Sequence, residues 1–237
     1  DLPVRPSIES LWHIPMARAA RFVFPGHPHH VTQEAGGGRT AFATEADYRL
    51  YLDWLAQNAR RYGVEIWAYC LTPDRVDVVC VPRSGRSLAR TFNVVHMRYA
   101  LRINGRTGER GPLWKPRFMS CVLDGPSAKE DVRFVETIPV RAGLVSRAED
   151  YPWSSVRSRI VGDAGSPATS CPWASDIDNW RAFLLEPSDE PVLARVRERL
   201  KTGRPAGDEE FVRDLEAASG RRLEALPRGR PRKTSRA

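Results

Sequence analysis

The sequence predicts an α+β fold: a ferredoxin-like split βαβ core with an antiparallel sheet, then a small helical C-terminal extension and a basic tail. Three observations predict it. From residue 20 to residue 139, runs with two-residue and 3.6-residue apolar periods follow one another as strand, helix, strand, strand, helix, strand, and then a further helix. The two middle strands, in "VEIWAYCLTP" and "DRVDVVCVP", are joined only around Thr72-Pro73-Asp74, which makes them antiparallel neighbours. Composition then shifts: residues 161–172, "VGDAGSPATSCP", read as a linker, and residues 221–237 carry seven Arg and Lys against one Glu.

Residues 1–19 read as an irregular, proline-containing lead-in without the basic start and apolar stretch of a signal peptide. "ARFVFPGHPHHVTQ" gives the first extended element and passes into the glycine-rich "EAGGGRT". In "TEADYRLYLDWLAQNARRYG", Thr44 is placed to cap a helix with Asp47 three residues on. Tyr48, Leu52 and Leu55 form its apolar stripe, and Gly63 ends it.

In the strand that follows the turn, Val76, Val78 and Cys80 share one face and Arg75, Asp77 and Val79 the other. A charged pair inside a short apolar strand is the anomaly of this sequence. "SLARTFNVVHMRYALRIN" predicts a second long helix closed by Asn104-Gly105, and "RFMSCVLD" a further strand. "SAKEDVRFVETI" predicts a third helix stopped at Pro139, because proline disfavours helix at the residue before it. The core domain is expected over residues 20–160, with helical segments of the extension near 176–185, 190–201 and 208–218.

The 237 residues hold no apolar run long enough to span a membrane, so no membrane partner is expected. Cys70, Cys80, Cys121 and Cys171 stand far apart with no C-x-x-C pair, which fits small buried hydrophobes in a reducing, cytoplasmic setting. Net charge is +8, and the tail supplies most of the excess, which points weakly to a polyanionic partner.

The stretches "PGHPHHVTQ", "DYRLYLDWLAQNARRYGVEIWAYCLTP", "GPLWKPRF", "VETIPVRAGLV" and "DYPWSS", in unbroken order over residues 18–160, together resemble the single-tyrosine HUH transposases linked to REP palindromes. "TGRPAGDEEFVRDLEAASGRRLEALPRGRPRK" is similar to that family's usual ending. The resemblance implies a ferredoxin-like nuclease core that cuts single-stranded DNA beside an imperfect hairpin. It also implies two histidines flanking one apolar residue on a central strand, which hold a divalent metal. A tyrosine on a later helix attacks the phosphodiester, and a polar side chain one turn beyond completes the metal site.

This sequence departs from that pattern at every one of those positions. Arg75 and Asp77 stand where the resemblance places the two histidines, Phe134 where it places the tyrosine, and Ile138 where it places the polar helper. Guanidinium has no lone pair to donate, and one carboxylate makes a poor metal site. Phe134 lacks the attacking oxygen. A mutually neutralised Arg75–Asp77 pair filling the vacated pocket is therefore expected, with no catalytic residue, no metal and no cofactor. "HPHH" (His27 to His30) mimics a histidine pair, but proline fits badly between two ligands on a central strand, so it is assigned no metal. The six tyrosines read as core or surface fillers, and Asp124 and Asp131 have no pairing that sequence establishes.

Losing chemistry leaves binding. Arg106, Arg110, Lys115, Arg117 and Arg141 are candidate phosphate contacts, and Trp114 is a base-stacking or a core residue. Pro227-Arg228-Gly229-Arg230-Pro231-Arg232-Lys233 resembles an AT-hook, in which glycine lets the backbone sit on the minor-groove floor while flanking arginines reach into its negative potential. Arg228, Arg230, Arg232 and Lys233 are its candidate contacts, and Thr202 to Gly207 a second one. The expected function is that of a catalytically inactive, domesticated transposase-like DNA-binding protein, a transcriptional or nucleoid-associated regulator in the cytoplasm. Its expected partner is DNA, as A·T-rich duplex and as hairpin or palindromic sites, bound by a monomer or a dimer. A surviving metal-dependent nuclease using Asp77, and a decaying remnant without selected function, are the alternatives the residues leave open.

Overall fold

The structure, a computed structural model, describes residues 21–162, 165–186 and 190–223. Four strands, β1 (His29–Glu34), β2 (Val64–Thr72), β3 (Arg75–Pro82) and β4 (Met119–Val122), form one antiparallel sheet in the order β2-β3-β1-β4. That order follows from the connections. Helix α1 (Glu45–Tyr62) carries the chain past the place that β3 then fills, and α2 (Ser87–Thr107) carries it back to pair β4 against β1.

Helix α1 starts as its sequence dictates. Thr44 and Asp47 form a reciprocal capping box, with the Asp47 carboxylate accepting from the Thr44 amide at 2.9 Å, and Gly63 ends the helix at φ 66°. The end of α2 differs from the expectation. Asn104-Gly105 does not stop it, because the Asn104 side chain is tied to Arg39 and to the Gly111 carbonyl, and the helix continues to Thr107. Gly108, at φ 71°, makes the turn instead. Helix α3 (Gly125–Glu136) also ends before Pro139. Thr137 Oγ1 folds back onto the Arg133 carbonyl at 2.6 Å, and Pro139 sits in the first turn of a short helix α4 (Ile138–Arg141).

The sheet is buried on both faces, which explains why β2 reads as an almost continuous apolar run. Val31, Val76, Val78 and Cys80 meet α1 and α2 through Tyr51, Leu55, Phe92, Val95 and Tyr99. Val79 and Cys121 meet α3 through Ala128, Val132 and Val135 on the other face. The C-terminal extension shares that second core. Beside α5 (Val156–Ile160), which ends the core domain and contributes Val156, helices α6 (Trp180–Leu185) and α7 (Glu190–Thr202) contribute Trp180, Phe183, Val196 and Leu200 to it, and α8 (Glu209–Ser219) follows. Glu136, fully buried, fastens the extension: it accepts from Ser155 Oγ at 2.7 Å, Arg159 Nε at 3.0 Å and Trp180 Nε1 at 2.6 Å. All four cysteines are buried and unbridged, and among the described residues no helix is long and apolar enough to cross a membrane.

Candidate functional site

The anomalous pair lies on the sheet face that α3 covers. Arg75 opens β3, and Asp77, two residues on, projects from the same face. The antiparallel register sets Glu34 of β1 opposite Arg75 and Thr32 opposite Asp77, so alternation along β1 brings His30 to the same face. Asp131 and Phe134, three residues apart on α3, share the helix side that looks down on them.

These residues form an unbroken chain of alternating charge. Lys115 pairs with Glu34, and Glu34 also receives Arg75 at 3.5 Å. Arg75 holds Asp77 in a fork, Nε to Oδ2 at 2.7 Å and Nη2 to Oδ1 at 2.9 Å. His30 donates through Nε2 to Asp77 at 3.2 Å and through Nδ1 to Asp131 at 2.9 Å. His30, Asp77 and Asp131 are at most 1% exposed. Only a doubly protonated imidazole donates from both nitrogens, and the energetics agree. Burial opposes the charged ring, but the bonds to Asp131 and Asp77 outweigh it and raise its pKa to about 9. For Asp77 burial would favour the neutral acid, yet Arg75 and His30 lower its pKa to about 2. Two cations and two anions thus close the inner part of the chain without net charge.

This donor set does not fit a divalent metal. Arg75 has no lone pair, and both oxygens of Asp77 are already engaged by Arg75 and His30. Phe134, on the side of α3 that faces this network, carries no nucleophilic oxygen. The Phe134 ring lies 5.9 Å from the His30 ring and is covered by the Arg141 guanidinium at 4.2 Å, which also donates to the Phe134 carbonyl at 2.8 Å. Ile138, one turn on, packs into the second core. Arg75, Asp77 and Phe134 are brought together around His30, and Arg141, which the sequence offered as a phosphate contact, lies instead against Phe134. His30 and Asp131 complete the group and were not assigned to it by sequence. The spacing of Asp131 and Phe134 on one helix held the signal for Asp131.

The neighbouring histidine shows what His30 would be without its carboxylates. His29 donates from Nδ1 to the His27 carbonyl at 2.8 Å and accepts the Phe24 amide at Nε2, so its ring is neutral. Burial, with a smaller push from His27, lowers its pKa to about 4 against the bond to the His27 carbonyl.

The other sequence-assigned cations do not gather on one surface. Arg106 is held by Asp47 at the start of α1, with one bond at 2.9 Å, and so locks α2 to α1. Arg110 is exposed in the loop after α2. Lys115 and Arg117 line a cleft along β4 together with Thr202, Gly203 and Arg204. Trp114 is a core residue, 7% exposed, donating to the His96 carbonyl at 3.1 Å. Arg228, Arg230, Arg232 and Lys233 lie outside the described residues.

No protein-family model matches the chain, and no curated protein does. Among solved structures, a REP-associated tyrosine transposase bound to a REP hairpin is similar, with a TM-score of 0.50 at 19% identity, covering 69% of this chain and 96% of its own. A crystal structure described as a transposase from Deinococcus radiodurans covers 52% of this chain and 97% of its own at 16% identity, with a TM-score of 0.36, too loose a likeness to support an argument. The first match establishes a shared fold.

Proposed function

We propose that this protein is a non-cleaving DNA-binding protein built on a transposase-like fold, a domesticated relative acting as a transcriptional or nucleoid-associated regulator. The observation that carries the reading is the closed Arg75–Asp77–His30–Asp131 network. It occupies the place where the sequence resemblance puts a metal site, and it satisfies Asp77 with side chains rather than leaving it open to an ion. A phenylalanine in the attacking position removes the oxygen that a phosphotyrosine link requires. The hairpin in the matching structure makes DNA the ligand class to test first. The AT-hook-like tail adds an affinity for A·T-rich duplex.

The test is an incubation of the full chain with hairpin-bearing single-stranded DNA, with and without magnesium or manganese. The expected result is binding that is independent of metal, no nicking, and no protein–DNA adduct that survives denaturation. A covalent adduct would overturn the reading, and genome-wide occupancy confined to defined sites distinguishes a regulator from a remnant.

A further inference from the structure

Helix α2 covers the sheet with one side, and its other side carries a second apolar stripe. Leu88, Phe92, Val95, Tyr99 and Ile103 face the first core. Turned away from it, Val94, Met97 and Leu101 stand at i, i+3 and i+7, the spacing that keeps side chains in one line along a helix. Met97 is 59% exposed and Leu101 68%, while Val94 is half-buried. Single exposed apolar residues are ordinary, but three in register over about 10 Å form a seam of the kind that a second helix covers. On the α1 side the seam is bordered by the Trp54 ring, half-buried against the first core, with the Arg98 guanidinium 4.5 Å from its centre.

The charge of α2 says what kind of helix fits. Its 21 residues hold Arg90, Arg98, Arg102 and Arg106 and no Asp or Glu. Arg106 is bound to Asp47. Arg90, Arg98 and Arg102 are exposed, and none enters an ion pair among the described residues. Arg90 continues the stripe one turn before Val94, and Arg98 and Arg102, four residues apart, flank it on the α1 side. Asp53, exposed on α1, and Glu45, paired with Arg49, are the carboxylates of the neighbouring helix that stand outside its core side. Two copies of α2 laid seam to seam would set arginine against arginine, and the basic tail of this chain meets the same repulsion. A phosphate backbone would suit the arginines but leave Met97 and Leu101 in water. An acidic helix with an apolar stripe of its own satisfies both.

We propose that the outer face of α2 docks an acidic amphipathic helix of a partner protein, with apolar residues on Val94, Met97 and Leu101 and carboxylates on Arg90, Arg98 and Arg102. The seam lies on the opposite side of the sheet from the Arg75–Asp77 network, so this partner sits clear of that network, and its docking does not depend on DNA.

The experiment uses the full chain and a labelled three-heptad peptide with Ile at a, Leu at d and Glu at e and g, read by fluorescence anisotropy. The controls are the same peptide with its residues scrambled, its counterpart with Lys for every Glu, and an A·T-rich duplex. The parent is expected to bind the acidic peptide about tenfold tighter than either control peptide, or better. Met97→Gln with Leu101→Gln changes only exposed side chains, and an unchanged melting temperature verifies its fold. That variant is expected to lose about tenfold or more in affinity for the acidic peptide, with duplex binding held within about twofold. Arg98→Glu with Arg102→Glu is expected to turn the preference toward the Lys peptide. Failure to bind the acidic peptide, or equal binding of its ordered and scrambled forms, overturns the proposal. A parent dimer in sedimentation that the Gln pair dissolves gives the seam to a second copy and overturns it too. So does duplex affinity lost in the Glu pair with no peptide bound, which gives the face to DNA. Duplex and hairpin binding that neither variant alters leaves the proposed function standing whatever the peptides do.

Discussion

Arg75 grips Asp77 with two hydrogen bonds, at 2.7 and 2.9 Å, from two residues away on the same strand. The partners are unequal. The Arg75 side chain is 31% exposed and has Glu34 as a second anion, whereas Asp77 is fully buried.

That asymmetry ranks the mutants. Asp77→Ala strips both Arg75 and the buried His30 of an anion, and breaking a buried pair from one side costs about 3–5 kcal/mol. Arg75→Ala leaves Asp77 still paired with His30 and costs less. The double mutant falls short of the sum of the two, because both changes remove one interaction. Urea denaturation of the three variants measures the ranking, and strict additivity would show that the pair is not coupled.

His30 makes stability depend on pH in a defined direction. Its folded pKa, about 9, exceeds the usual value near 6.5, so its contribution is complete below pH 6.5 and is lost as pH rises through 9. His29 and His96 act oppositely. Burial, the largest influence on each, depresses them to about 4 and about 3, so the stability of their neutral forms holds above pH 6.5 and is lost as pH falls. Stability is expected to peak near pH 6.5, and His30→Gln should remove the decline between pH 7 and pH 10. A decline of equal size in that variant would place its cause elsewhere.

What the sequence made legible was local. Thr44, Asp47 and Gly63 fix α1 because caps act within a few residues, and the strand order follows from short connections. Arg75, Asp77 and Phe134 could be paired with positions of a known pattern because they adjoin the ends of matching stretches, and Ile138 because it lies inside one. His30 escaped because its partners lie 47 and 101 residues away, and only the register of β1 against β3 and the placement of α3 bring them together. The end of α2 escaped for a related reason: the side chain of Asn104, a residue that often stops helices, is satisfied by distant Arg39.

The extension is expected to be inseparable from the sheet in stability. Glu136→Ala leaves Arg159 without its buried anion and Trp180 without its acceptor, a loss of about 3–5 kcal/mol. Trp180→Phe keeps the ring and the ion pair and removes one donor, which costs about 1–3 kcal/mol. One cooperative transition in the parent, shifted by both variants, is the expected denaturation profile. A separate early transition shifted alone would make residues 161–220 an independent unit.

The tail and the folded part are expected to divide the work on duplex DNA. Deleting residues 221–237 removes seven positive charges, and each lost duplex phosphate contact lowers the slope of log affinity against log salt by about 0.9. If about four of the seven make contact, affinity near 0.15 M salt falls at least tenfold. An AT-hook adds a sequence requirement that charge alone does not. Arg228→Ala with Arg230→Ala should weaken binding to A·T-rich duplex far more than to G·C-rich duplex of equal length, since only the former offers a narrow groove with enhanced negative potential. Hairpin binding supplied by the folded part should survive that double change. Equal weakening on both duplexes would reduce the tail to a charged tether, and no weakening on either would leave the folded part as the whole DNA-binding surface.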